Sequence, residues 1–228
     1  MPLIDVIIPA FNEENSVQQV IRDIPKDIIR EIIVVNNNSN DATSAKAKSS
    51  GATVLEEKFQ GYGAACLKGI NYLSAKEVKP DIVVFIDADY SDYPEQMRAL
   101  TDPIINRGYD MVIGSRALGK RDKGSMTVPQ QFGNKVATTL LRWLYKVKYT
   151  DLGPFRAIRL DSLLQLKMTD KTYGWTVEMQ LKAAKQKMKV IEVPVDYRKR
   201  IGFSKISGTV KGTVMAGYKI ITTIFRYL

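Results

Sequence analysis

The chain sets short, mostly apolar runs between stretches with helical periodicity. Residues 3–9, 31–35 and 82–86 are compact and rich in β-branched side chains, with little polar alternation. Such runs are the mark of strands buried on both faces of a parallel sheet. Between the first two, residues 13–24 place Val17, Val20, Ile21 and Ile24 at helical spacing, with Asn12 available as an N-cap. Together these predict a βαβ unit. Residues 42–50 predict a second helix, 53–56 a short strand, 64–75 a third helix and 111–114 a further strand. The first 115 residues are therefore expected to be α/β, a Rossmann-like, mostly parallel central sheet flanked by helices.

Beyond residue 115 the alternation stops. Residues 116–131 read as a polar, glycine-containing loop of a length usually reserved for function. A helix is expected over 132–145, then helices over 160–166 and 177–187, a strand over 190–197 and a basic Gly/Ser loop over 199–209. The final segment, 210–228, sets Val214, Ile220, Ile221, Ile224 and Phe225 among Lys211, Lys219 and Arg226. That spacing serves a helix packed on a sheet or an interfacial helix beside anionic lipid. No repeat or linker divides the chain, so residues 1–228 are expected to form one catalytic-sized domain.

Composition removes several chemistries. The 228 residues include no histidine and one cysteine, Cys66. This excludes imidazole bases, serine–histidine triads, zinc–thiolate clusters and an intrachain disulfide, and suits a reducing compartment. Met1-Pro2-Leu3 lacks the basic start of a secretory signal, and no window holds 18 to 20 uninterrupted apolar residues. The expectation is a cytoplasmic protein, peripheral on the inner face of a membrane. Charge is uneven: residues 1–115 carry 11 Lys+Arg against 17 Asp+Glu, a net of −6, and residues 116–228 carry 23 against 7, a net of +16. An acidic half suits a metal, and a basic half suits phosphates, anionic lipid or nucleic acid.

An open parallel sheet binds its ligand at the carboxyl ends of its strands. There the chain places Ala10-Phe11-Asn12-Glu13-Glu14, then Asn36-Asn37-Asn38-Ser39-Asn40-Asp41, then Asp87-Ala88-Asp89. The two carboxylates of Asp87-Ala88-Asp89 point to one side of an apolar strand, a pattern suited to Mg2+ or Mn2+ holding a diphosphate. They could equally cap a helix starting at Pro94-Glu95. Gln60-Gly61-Tyr62-Gly63-Ala64-Ala65-Cys66 falls short of a dinucleotide fingerprint because Cys66 replaces its third glycine. Gly61 and Gly63 still let the backbone approach a nucleotide at a helix start, or simply form a turn.

In this order, the segments resemble the nucleotide-sugar glycosyltransferases of family 2 with the GT-A fold. Ile8-Pro9-Ala10-Phe11-Asn12-Glu13-Glu14 resembles that family's opening motif, and Phe85-Ile86-Asp87-Ala88-Asp89 its metal motif. Ile113-Gly114-Ser115-Arg116, Thr150-Asp151-Leu152-Gly153-Pro154-Phe155-Arg156 and Arg200-Ile201-Gly202-Phe203-Ser204-Lys205 are similar to the branch with dolichol-phosphate mannose synthases and bacterial polyprenyl-phosphate glycosyltransferases. The resemblance implies that Pro9, Ala10, Asn12 and Glu13 border the nucleotide, with Asn36, Asn37, Ser39, Gly63 and Ala88 completing its site. It implies that Asp87 and Asp89 bind the donor diphosphate through Mg2+ or Mn2+. It also implies that Arg116 meets the acceptor phosphate, with Asp151 and Arg156 nearby, and that Arg200, Ser204 and Lys205 close over the phosphates. Residues 1–115 would be the nucleotide-sugar and metal half, and 116–228 the acceptor half.

Two positions depart from the pattern. Asn36 and Asn37 stand where the family has acidic residues, which leaves the base open: an amide both donates to and accepts from a uracil or a guanine edge, and the expectation leans to UDP over GDP. Ser91 stands where close mannose synthases have glutamine. A lipid phosphate acceptor carries most of its second charge near neutral pH, with pKa2 about 6, and needs no general base. A hydroxyl acceptor would need one, and Asp151 and Glu178 are the candidates, although Glu178 is also spaced to pair with Lys182. Two further classes fit less well. In a nucleic-acid binder, Tyr145, Tyr149, Tyr197 and Phe203 would stack bases beside an acidic loop. A sugar nucleotidyltransferase would need a basic phosphate loop where Asn12-Glu13-Glu14 stands.

Overall fold

The computed structural model describes residues 2–202 and 210–228. Seven strands form one sheet in the order β3-β2-β1-β4-β6-β5-β7: β1 Ile4–Ala10, β2 Glu31–Asn36, β3 Thr53–Glu56, β4 Ile82–Phe85, β5 Met111–Ser115, β6 Arg156–Arg159 and β7 Val190–Pro194. All neighbours run parallel except β6, which is antiparallel to β4 and β5. The expected mixed α/β sheet with a GT-A arrangement is the fold observed.

The sheet is covered on both faces. Val6, Ile8, Val34 and Val84 face a core completed by Val17, Val20 and Ile21 of α1, Val17–Asp23. Ile7, Ile33, Val35 and Phe85 face the opposite core, closed by α3, Tyr62–Ser74, and by Trp175, which meets the Phe85 ring edge-on at 5.8 Å. This two-sided burial is why the first strands read as mostly apolar runs with little alternation. The other helices are α2 Thr43–Ser49, α4 Met97–Arg107, α5 Val128–Tyr145, α6 Leu160–Gln165, α7 Trp175–Lys185 and α8 Val210–Arg226.

Several boundaries differ from expectation. Asn12 does not cap α1. It takes a positive φ of 53° and its side chain accepts from Asn40 N at 3.0 Å, tying the loop after β1 to the loop after β2, while Ser16 occupies the N-cap position. α5 begins at Val128, four residues before the expected start, because Thr127 and Gln130 form a reciprocal capping box and Pro129 sits in the first turn. β6 was not foreseen. It is four residues long and joins directly to α6, so no period develops.

α5 and α8 lie side by side, with Tyr145 Oη donating to Ile224 O at 2.7 Å. Ile224 is buried, whereas Val214, Tyr218, Ile221 and Phe225 form an exposed apolar stripe along the outer side of α8. α5 likewise exposes Val128, Phe132 and Trp143, the last 76% accessible. The last segment thus packs on the body through one side and presents apolar residues on the other. Among the described residues no helix is long and apolar enough to cross a membrane.

Candidate active site

The carboxyl ends of β1, β2 and β4 and the start of α3 enclose a cleft of about 350 Å³. Pro9, Ala10, Glu13, Asn37, Asp87, Ala88, Asp89 and Arg200 all line it, with Phe11, Gln60, Gly61, Tyr62, Ala65, Thr172 and Tyr173. Of the remaining expected nucleotide-site residues, Asn12, Asn36, Ser39 and Gly63 stand behind this wall and hold it. Asn12 N donates to Ser39 Oγ at 2.9 Å, Ser39 N donates to Asn36 Oδ1 at 3.1 Å, and Asn36 Nδ2 donates to Glu56 Oε2 at 2.7 Å. Gly63 N donates to Thr172 O, and a Cβ at Gly63 would lie 2.0 Å from Asp170 O. The glycines at this helix start therefore admit the 170–172 segment, and that segment delivers Thr172 and Tyr173 to the cleft. Ser204 and Lys205 lie outside the described residues.

Asn37 is a shaping residue. Its Nδ2 donates to Glu57 O and Phe59 O at 3.3 and 2.7 Å, and its Oδ1 accepts from Gly61 N at 2.7 Å. An aspartate could make the last bond but not the first two, which is a physical reason for an amide here.

Asp87 and Asp89 define the charged end of the cleft. Asp87 Oδ1 and the Tyr62 hydroxyl are buried there as neighbours, and neither makes a well-formed hydrogen bond among the described residues. Burial, and then the neighbouring Asp89 carboxylate, push the Asp87 carboxyl up to about 7. Asp89 Oδ1 accepts from Ser91 N at 2.9 Å, whereas its Oδ2 meets Arg200 Nη1 at 3.1 Å. No side chain caps the turn at Pro94, so the two carboxylates are not spent on a helix start. Among the described residues no group of three or more metal-ligating side chains forms a closed cage. Two carboxylates with a buried, unpartnered oxygen fit a hard divalent cation that takes its other ligands from phosphate and water.

A second cleft, about 290 Å³, opens from the first and shares Tyr62, Asp87, Asp89, Tyr173 and Arg200 with it. It runs past Arg116 and Tyr197 to Met126, Pro129 and Leu152, and to Ala216, Gly217 and Ile220 of α8. Arg116 is fixed at its base. Asp151 Oδ2 accepts from Arg116 N at 2.8 Å and Nε at 2.7 Å, and Oδ1 accepts from Nη2 at 2.7 Å. The guanidinium stacks over Tyr197, 5.0 Å from the ring centre. Burial alone would raise the Asp151 carboxyl, but Arg116 outweighs it and holds Asp151 below the usual carboxylate range. Asp151 lines neither cleft.

Arg156, also expected near the reaction, is fully buried behind the site. Its guanidinium donates to the carbonyls of Leu152, Gly153 and Thr176, and so binds the turn before β6 to the start of α7. Glu178 is saturated. It accepts from Thr169 N, Asp170 N, Thr169 Oγ1 and the Tyr227 hydroxyl, and pairs with Lys182 at 2.7 Å. Burial pushes the Cys66 thiol well up, which leaves it inert.

Phe11, Gln60, Tyr62, Thr172 and Tyr173 were not singled out from sequence. The first three lie within motifs quoted from the sequence but were given no role there, whereas Thr172 and Tyr173 lie about 80 residues beyond the paired aspartates and arrive only through the tertiary contact with Gly61 and Gly63.

A cleft that ends in two carboxylates at the strand ends and continues past Arg116 into a second cleft is an arrangement suited to a sugar-nucleotide transferase. The sequence model of glycosyl transferase family 2 matches residues 5–166, and the chain belongs to that family. Its similarity extends to an uncharacterised glycosyltransferase of Mycobacterium tuberculosis, 33% identical over 220 residues that cover 93% of this chain and 94% of the relative. A dolichyl-phosphate hexose transferase of Haloferax volcanii is 31% identical and covers 88% of this chain and 85% of its own. A UDP-N-acetylglucosamine–dolichyl-phosphate N-acetylglucosaminyltransferase of Methanococcus voltae is 28% identical over 96% and 93%. These relatives put the chain in the polyprenyl-phosphate glycosyltransferase-like branch. In fold it is similar to glucosyl-3-phosphoglycerate synthase of M. tuberculosis, solved with Mn2+, UDP and glucosyl-3-phosphoglycerate, with a TM-score of 0.79, 21% identity and coverage of 99% and 80%.

Proposed function

We propose that this glycosyltransferase moves a hexose from a UDP-sugar to the phosphate of a polyprenyl lipid, inverting the sugar carbon, at the cytoplasmic surface of a membrane. The observation that carries this reading is the second cleft, which joins the donor cleft at Asp87 and Asp89 and leads past Arg116 to the start of α5 and to Ala216, Gly217 and Ile220 of α8. A phosphate beside Arg116 and Arg200 and a hydrocarbon chain along Met126, Pro129 and Ile220 fit that lining. The names of the two dolichyl-phosphate relatives support a lipid-phosphate acceptor, and the second supports UDP over GDP.

In this reading residues 1–115 are the donor half and 116–228 the acceptor half of one catalytic domain. Asp87 and Asp89 hold Mg2+ or Mn2+, which neutralises charge on the departing diphosphate. Pro9, Ala10 and Glu13 border the nucleotide, and Asn37 shapes the 57–61 loop. Arg116, oriented by Asp151, draws the acceptor phosphate into line. A phosphate oxygen attacks the anomeric carbon, the bond from that carbon to the diphosphate oxygen breaks, and the nucleoside diphosphate leaves with the bonding pair. No base is required, which suits a site where Asp151 and Glu178 are both committed to other partners. Phe132, Trp143, Tyr218 and Phe225 enter the headgroup region beside anionic lipid, which the basic second half attracts.

The test is transfer from UDP-glucose and UDP-N-acetylglucosamine, with Mn2+, to a short polyprenyl phosphate in detergent and to the matching free alcohol. Labelled product with the phosphate alone is expected. Transfer to the alcohol in preference to the phosphate would refute the acceptor assignment.

A further inference from the structure

The Arg200 guanidinium spans two carboxylates that come from different strand ends. Nη2 lies 2.8 Å from Glu13 Oε1, and Nη1 lies 3.1 Å from Asp89 Oδ2. The backbone around it is fastened to the metal loop: Ile201 N donates to Asp89 O at 2.9 Å and Arg198 N to Ser91 O at 2.9 Å. Arg198 adds bonds from Nε to Tyr90 O at 2.7 Å and from Nη2 to Asp92 O at 3.1 Å, and stacks on the Tyr90 and Tyr93 rings. Arg200 is therefore delivered to Asp89 by a fixed backbone, not by a wandering side chain. Its Nε is buried without a hydrogen-bond partner among the described residues.

We infer that Arg200 is the resident counter-cation of the donor site, occupying Asp89 until a divalent metal displaces it and then passing to the donor diphosphate. This rests on the proposed reading of Asp87 and Asp89 as metal ligands. A guanidinium on Asp89 Oδ2 and a divalent cation on the same carboxylate repel each other, so a metal arriving alone must break the ion pair. A planar guanidinium matches a phosphate better than it matches a single carboxylate oxygen. A diphosphate arriving with the metal gives the displaced Arg200 a new partner and offsets that loss. Metal and nucleotide therefore favour each other, and by linkage each raises the other's affinity by the same factor.

The experiment is Mn2+ titration by calorimetry, without and with UDP, on the wild-type chain, Arg200→Ala and Arg200→Lys, with melting curves to confirm folding. Without UDP, Arg200→Ala should bind Mn2+ about fivefold more tightly, the worth of a partly exposed ion pair. With saturating Mn2+ it should bind UDP at least about fivefold more weakly, the same ion-pair scale, so the mutual enhancement shrinks. Arg200→Lys, which keeps the charge but loses the fork, should fall between. Unchanged or weaker Mn2+ binding by Arg200→Ala without UDP, while the wild type binds Mn2+ and UDP together, overturns the counter-cation role alone. A wild type that binds no Mn2+ even with UDP removes the metal assignment and this inference with it.

Discussion

Replacing Asp151 with alanine should cost more stability than almost any other single change near the site. Asp151 makes three charge-assisted bonds to Arg116, and the two side chains are 1% and 12% exposed. Removing one partner of a buried pair strands the other charge and costs about 3–5 kcal/mol. In a chain of this size each kcal/mol lowers the midpoint by about 2–4 °C, so a fall of roughly 6–20 °C is expected. The double variant Arg116→Met with Asp151→Ala removes the stranded charge but leaves the residue 116 N–H without its acceptor, a residual cost of about 1–3 kcal/mol. The double variant should thus be more stable than Asp151→Ala alone, and the two changes strongly coupled. Urea denaturation of the four proteins in the cycle measures this directly. Asp151→Asn separates the roles: an anchor for Arg116 loses stability and turnover together, whereas a general base loses turnover alone. A stability change under 1 kcal/mol for Asp151→Ala, or strictly additive effects, would refute the argument.

Two further predictions rest on other contacts. Both carboxylate oxygens of Asp92 are buried without partners among the described residues, and burial, then Asp87, push this carboxyl well above its ordinary range. The folded state therefore holds the proton, and stability falls as pH rises from the unfolded value, near 3.9, toward the folded one, at up to about 1.4 kcal/mol per pH unit. Asp92→Asn should remove that slope, so urea midpoints for variant and wild type should diverge in the variant's favour as pH rises above the unfolded value, about 3.9; parallel curves would contradict the assignment. Gly63→Ala puts a methyl 2.0 Å from Asp170 O and must displace the segment carrying Thr172 and Tyr173. UDP binding by calorimetry should weaken about tenfold or more, on the scale of a 1–3 kcal/mol overpacking penalty, and wild-type affinity would show that the segment does not shape the donor cleft.

The parts of the molecule legible in the sequence are those whose burial is uniform. β1, β2, β4 and β5 carry apolar residues on both faces, and their ends locate Glu13, Asn37, Asp87, Asp89 and Arg116. β6, with Arg156 buried at one end and Arg159 exposed at the other, shows no such run. α4 carries Pro103 within it and is polar over much of its length, which masks its period. The early start of α5 had a readable signal in Thr127-Val128-Pro129-Gln130, a hydroxyl residue three before a glutamine. The employment of Asn12, Asn36 and Asn37 inside the protein could not be read from sequence. An amide's partners are set by which loops the sheet brings together.

The reversal of β6 bears on how such an enzyme can change. Arg156 pairs with Phe85 of β4 and with Ile113 of β5, so the antiparallel strand starts at the edge where its neighbours end. The Asp151 turn consequently reaches the ligand edge by leading into a strand, and no connection has to cross the sheet to bring it there. β3, β2, β1 and β4, whose ends carry the paired aspartates and line the first cleft, lie wholly to one side of that reversal. Substitutions in the turn before β6, which gives Leu152 and Pro154 to the second cleft, can therefore reshape that cleft without shifting the register of those four strands. On the proposed reading, one donor-binding frame is left free to serve successive acceptors.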